Sequence, residues 1–128
     1  MSTQLRLSLR ALRFRAAGHT RRPLAPAFRE PLRGARGLEL GGPSAVFAAG
    51  GLLAVYPLLE RLDGVQFSSE TVWHGTMEAG PYTLPDGTTK GTMWILDAGD
   101  LHAIPAGAYD AVLSSHVVEH LANPLAAL

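Results

Sequence analysis

The chain has 128 residues, of which 47% are hydrophobic and 17% charged, a balance that suits one domain with a buried core and excludes a disordered tail. It contains no cysteine, which excludes a disulfide framework and any cysteine-ligated zinc or iron–sulfur centre. The net charge is zero but divided: residues 1–36 hold nine arginines and one acid (9 − 1 = +8), and residues 37–128 hold two bases and ten acids (2 − 10 = −8). No apolar run reaches the roughly 18–20 residues of a membrane span, and no secretory signal pattern is visible, so the expectation is a cytoplasmic protein with no membrane partner.

In residues 1–16, Leu5, Leu9 and Leu12 recur at helical spacing, with Arg6, Arg10 and Arg13 one residue on. That spacing predicts a short amphipathic helix whose apolar and basic stripes lie about 100° apart. Two readings of the arginine-rich start stay open: a solvated basic segment packing on the acidic remainder, or a targeting or nucleic-acid-binding arm. The first is the commoner fate of a charge run, and nucleic acid is not expected as a partner. Gly18 to Pro31, with prolines at 23, 26 and 31, predicts an irregular linker. The chain thus divides into a basic arm and linker, residues 1–36, and a folded domain, residues 37–128.

The domain opens with a short strand, Gly37-Leu38-Glu39-Leu40, that runs into Gly41-Gly42-Pro43-Ser44. Ser44 can cap a following helix. Ala45 to Leu62 is apolar and helix-compatible, interrupted by Gly50-Gly51 and Pro57. Gly64 to Ser68 predicts a second strand, and Ser69 to Trp73 a helix or turn. Residues 75–91 are rich in Gly, Pro and Thr, with a turn at Pro85-Asp86-Gly87. Thr92 to Asp97 predicts a third strand and Tyr109 to Ser115 a fourth, whose apolar centre calls for cover on both faces. His116 to Leu128 continues as helix or loop. Strands alternating with helix-compatible stretches predict an α/β fold with a parallel sheet.

Four segments carry a resemblance, in order. Leu38-Glu39-Leu40-Gly41-Gly42-Pro43-Ser44 is an acidic strand end followed by a glycine turn, where the absent Cβ lets backbone approach a ligand. Gly64-Val65-Gln66-Phe67-Ser68-Ser69-Glu70 is similar to a G-V-D-I-S-P-E pattern, with Gln66 in place of the acid. Asp97-Ala98-Gly99-Asp100-Leu101 is similar to D-A-x-x-L. Tyr109 to His120 is similar to F-D-x-V-x-S-x-x-x-x-E-H. Together they resemble the cofactor-binding half of class I S-adenosylmethionine-dependent methyltransferases, in particular the type 11 methyltransferase-domain group, over residues 37–128.

The resemblance implies a Rossmann-like parallel sheet and S-adenosylmethionine as cofactor. It implies that Glu39 orients the methionine portion and that Gly41 and Gly42 let the backbone approach. Gln66 would take the ribose position, where an amide carbonyl still accepts a hydrogen bond but without a carboxylate's charge. Asp97 would accept from the adenine amino group, with Asp100 as nearby competitor; Ala98 would meet the ring through its backbone, and Ser115 would complete the cofactor set. His116 would face cofactor and acceptor as the candidate catalytic residue, with Asp110 opening the fourth strand and Glu119 and His120 as helix-start structure. Pro43 departs from the family pattern, which has a second glycine there.

The same stretch, His116-Val117-Val118-Glu119-His120, matches the inverted zinc-hydrolase pattern H-x-x-E-H, in which two histidines four apart share a helix face. A catalytic zinc needs a third protein ligand, and none is evident, so no metal is expected. A degenerate domain that holds cofactor or a partner without turnover is the other competitor. Measured against the full family, the chain supplies four strands and the C-terminal strands are missing, so activity in this chain is in doubt. The methyl acceptor is expected to be a small molecule, and the open sheet edge offers a route to a dimer.

Overall fold

The computed structural model describes residues 24–127 other than 69, 72–74, 77 and 78. The helix expected over residues 1–16, and the linker as far as residue 23, lie outside the described residues. The rest of the linker is not irregular: Pro26–Leu32 forms a short helix, α1. Pro26 stands at its start, where a fixed φ favours the helix and a missing N–H costs nothing. Gly34, at φ +68°, ends it in the left-handed conformation that glycine adopts without penalty.

Five strands form the main sheet: β1 (Arg36–Leu40), β2 (Arg61–Gln66), β5 (Gly80–Thr83), β6 (Thr89–Ile95) and β7 (Ala111–Ser114). Two further strands, β3 (Glu70–Thr71) and β4 (Gly75–Thr76), make a separate antiparallel pair where a helix or turn is expected. The main sheet is mixed and mostly parallel, in the order β5-β6-β2-β1-β7. β1 is an interior strand, parallel to β2 on one side and β7 on the other, β6 runs parallel to β2, and only β5 is antiparallel. The β5–β6 hairpin closes on the expected turn, where the Asp86 carboxylate accepts from the Thr88 backbone N–H (2.9 Å) and hydroxyl (2.7 Å).

Few helices accompany this sheet. Ala45 to Leu62 is not an α-helix: it folds as turns, a 3-10 turn at Tyr56–Leu58, and the start of β2. The carbonyls of Val46 and Phe47 accept from Leu53, Val55 and Tyr56 across the glycine pair, so the segment doubles back on itself. Its apolar side chains reach the core all the same: Phe47, Val55, Tyr56 and Leu59 are buried together with Leu62, Tyr82, Leu84, Met93 and Leu113 on one face of the sheet. Leu38, Leu40, Val65 and Ala98 pack on the other, beneath Leu101, Ile104, Tyr109, Val117 and Leu121. Strand alternation sends neighbouring residues to opposite faces, and cover on both is why β1 and β2 are buried almost throughout. β7 is an edge strand, and Val112 on it is 63% exposed.

A buried carboxylate ties the second face together. Asp63 accepts from the Thr92 backbone N–H (2.6 Å), the Tyr109 hydroxyl (2.5 Å) and the Arg61 guanidinium (3.1 Å). The Lys90 ammonium, on β6, donates to the carbonyls of Tyr56 (2.8 Å) and Leu59 (2.6 Å), which pins the 3-10 turn to the sheet. Arg36 and Asp110 pair at the same amino end of the sheet, one at the start of β1 and one just ahead of β7.

Gly64 on β2 lies directly under the ring of Tyr82, and a Cβ there would occupy the ring's own space. Gly64→Ala is therefore expected to overpack the core and lower stability by about 1–3 kcal/mol. Urea unfolding checks it, and an unchanged midpoint would show that Tyr82 moves aside at no cost.

Candidate functional site

The parallel strands β1, β2, β6 and β7 end on one edge of the sheet, and the four motif segments follow those ends. Chain order runs from interior β1 through β2 to β6 and then crosses to β7 on the other side of β1. The order in which strands are added thus reverses between β1 and β7, and the glycine turn and Ser115-His116 flank that point.

The glycine turn is held at three successive places. Gly41 N–H donates to the Val65 carbonyl (2.8 Å), which extends the β1–β2 ladder by one bond. The Gly42 carbonyl accepts from the Gln66 side-chain amide (2.5 Å). Ser44 N–H donates both to a Glu39 carboxylate oxygen (3.1 Å) and to the Tyr56 hydroxyl (2.7 Å). Gly41 has φ +71°, and a Cβ on it would strike the side chain of Val117. Gly42 is wedged against the Glu39 carboxylate and the Tyr82 hydroxyl, with no room for a side chain. Beyond the turn, Ser44 Oγ accepts from Val46 N–H (3.3 Å), so it caps a turn and not the expected helix.

Glu39 is 0% exposed. One carboxylate oxygen accepts from both Tyr56 (2.6 Å) and Tyr82 (2.7 Å), and the other from Ser44. Burial pushes the Glu39 carboxyl above its ordinary pKa, and the three hydrogen bonds oppose that shift. The Tyr56 and Tyr82 hydroxyls are pushed up, first by burial and then by the neighbouring carboxylate.

The remaining residues stand on the adjoining loops. Asp97 is exposed and accepts from Gly99 N–H (2.7 Å), which makes it the hinge of a tight turn. Ala98 is buried against Leu38, Leu40 and Val65 and anchors that loop. Asp100 is exposed and pairs with His102 (2.8 Å). Ser115 is half-buried. His116 is an L-residue with φ +58°, a backbone state that few non-glycine residues adopt. Its side chain is 87% exposed, and Nδ1 lies 3.2 Å from the Glu119 carboxylate. A carboxylate only accepts, so in the neutral ring Nδ1 carries the proton and Nε2 is left as an acceptor. Val118–His120 is a single 3-10 turn. His116 and His120 therefore do not share the α-helical face that H-x-x-E-H requires, and among the described residues no three His, Asp or Glu side chains are placed to hold a metal.

The structure thus joins Glu39, Gly41, Gly42 and Gln66 in one bonded unit and sets Asp97, Ala98, Ser115 and His116 around it on separate loops. Sequence reasoning missed four contributors. Tyr56 and Tyr82 donate to Glu39 from 17 and 43 residues away, and Val117 covers Gly41. Phe67, 66% exposed just beyond β2, is a further aromatic surface at this edge. A signal existed only for Phe67, whose place directly after the strand-end Gln66 puts it at the edge.

The raised pKa of Glu39 has a thermodynamic consequence. A carboxyl with a higher pKa in the folded state makes that state bind more protons than the unfolded chain, so its contribution to stability falls as pH rises. The stability difference between wild type and Glu39→Gln is expected to decline as pH climbs past the ordinary glutamate range, about 4.3. Denaturant unfolding of both proteins across pH 4 to 8 measures this, and a pH-independent difference would contradict it. Comparison with protein-family models, with curated proteins and with solved structures finds no match for this chain.

Proposed function

We propose that the carboxyl edge of the sheet binds S-adenosylmethionine and that the chain carries the cofactor half of a class I methyltransferase. The observation that carries this reading is the strand order. The four parallel strands lie in the chain order third-second-first-fourth, that of a Rossmann-type half sheet, and ligands of such sheets bind outside the strand ends where the order reverses. The glycine turn and Ser115-His116 stand on either side of that reversal, and the four segments that resemble the family all reach this edge.

In this reading the backbone of the Gly41-Gly42 turn receives the methionine portion, and Gln66 supports that turn from beneath through the Gly42 carbonyl. The exposed Asp97 carboxylate and the backbone at Ala98 address the adenine, with Phe67 as a flat apolar surface beside it. Ser115 closes the far side. S-adenosylmethionine, when bound, supplies a sulfonium methyl group that an acceptor nucleophile takes as the carbon–sulfur bond breaks. His116, whose Nδ1 lies beside the Glu119 carboxylate, would take the proton the acceptor releases through Nε2. The acceptor is proposed to be a small molecule. No helix among the described residues is long and apolar enough to cross a membrane.

Calorimetric titration of the folded chain with S-adenosylmethionine and with its demethylated product tests the reading. Saturable binding is expected, weakened about fivefold in Asp97→Ala, the scale of one hydrogen bond. Equal affinity in that variant would remove Asp97 from the adenine role. No binding by the folded wild type would refute the proposal.

A further inference from the structure

The residue that the resemblance assigns to the cofactor is itself sealed from solvent. Glu39 has no exposed surface, and both its carboxylate oxygens are already engaged by donors from Ser44, Tyr56 and Tyr82. Gln66, assigned to the ribose, is buried too, and its amide nitrogen is spent on the Gly42 carbonyl. Both side chains bond to the glycine turn itself, Gln66 at its middle and Glu39 at its end, while Val65 holds its beginning. Gly42 leaves no room for a side chain, because the Glu39 carboxylate and the Tyr82 hydroxyl fill the space a Cβ would need.

We infer that Glu39 and Gln66 serve the cofactor through the turn and not by touching it, and that Tyr82, delivered from the β5–β6 hairpin, is a positioning residue of the same device. The inference rests on the reading of this edge as an S-adenosylmethionine site. Its physical content is preorganisation. A turn fixed at its start, middle and end presents its backbone groups to a ligand without paying to order them. A loosened turn must be ordered by the ligand, and the cost appears as lost affinity. The loss concentrates on the part of the ligand that meets the turn, the amino-acid portion. Tyr82 is the discriminating residue, because its hydroxyl donates to Glu39 and lies beneath the turn, against Gly42.

The test is calorimetry on the full chain with two ligands: S-adenosylmethionine, and 5′-methylthioadenosine, which keeps the nucleoside and thioether but has no amino-acid portion. Wild type, Tyr82→Phe, Glu39→Gln and the double variant are compared well below their unfolding midpoints. Each single variant is expected to weaken S-adenosylmethionine about tenfold, the scale of a hydrogen bond to a charged acceptor, while methylthioadenosine changes less than about threefold. The double variant is expected to be no worse than Glu39→Gln alone, since both changes release one device. General unfolding would weaken both ligands together. If Glu39→Gln weakens binding and folded Tyr82→Phe does not, Glu39 touches the ligand directly and the inference is overturned. Should Glu39→Gln fail to fold, Tyr82→Phe and Tyr56→Phe, each lacking one hydroxyl, carry the test: unchanged S-adenosylmethionine affinity in both overturns it. A folded wild type that binds neither ligand refutes the cofactor reading, and the inference falls with it.

Discussion

A carboxylate near the carboxyl end of an interior strand, with no contact with water, is the constraint around which this domain is arranged. An unpaired buried charge costs several kcal/mol or forces the group to neutralise, so Glu39 must find donors inside the protein. β1 is flanked by β2 and β7, and their ladder bonds are already committed to the sheet. The donors therefore come from segments that lie over the sheet face: Tyr56 from the connection between β1 and β2, Tyr82 from the edge hairpin, and the Ser44 backbone from the turn after β1. Bringing Tyr82 that far inward requires a strand with no side chain beneath its ring, which Gly64 supplies, and a turn with no side chain above the carboxylate, which Gly42 supplies. One buried charge thereby specifies two tyrosines and two glycines on four segments.

The second face solves the same problem with different chemistry. Asp63, one residue from Gly64 and so on the opposite side of β2, is buried as deeply but keeps a cation, Arg61, beside it as well as a backbone amide and a tyrosine. Burial and the nearby Asp63 push the Tyr109 hydroxyl up to about 12, so it stays a donor throughout the physiological range. Asp63 joins β2 to β6 and to the loop that leads into β7. Glu39 joins β1 to the hairpin and to the connection that covers it. The two carboxylates stitch the sheet to its cover where helices would ordinarily do so, and Lys90 adds a third stitch by holding the end of the 3-10 turn.

The candidate site inherits this arrangement. Its most ordered part, the Gly41 to Ser44 turn, grows out of the core and is bonded from beneath. Its other parts, Asp97 and His116, are exposed on loops whose anchors are apolar: Ala98 in one case, Val117 in the other. The edge thus combines a turn held from beneath with more accessible polar groups around it. His116 fits the same pattern, since its left-handed backbone is a local strain that the pairing with Glu119 and the packing of Val117 hold in place.

Much of this was legible in the residues alone. Apolar runs ended by Gly, Ser or Asp located β1, β2, β6 and β7 to within a few residues, because strand burial writes itself into consecutive side chains. The glycine turn, Gln66, Asp97 and His116 could be placed on one sheet edge because parallel strands put every strand-to-loop junction on the same side. The apolar, helix-compatible composition misled over Ala45 to Leu62, where apolar residues reach the core from a folded-back loop, and three prolines hid the helix at Pro26–Leu32. Composition cannot tell a buried helix from a buried loop when both satisfy the same core. What only the tertiary structure decided is which groups meet across long stretches of chain. That Glu39 is answered by Tyr82, 43 residues away and on an edge hairpin, depends on strand order, on pleat, and on a missing side chain at Gly64. Hydrogen bonding of a buried charge is a demand the sequence announces at one position and leaves the fold to satisfy at another.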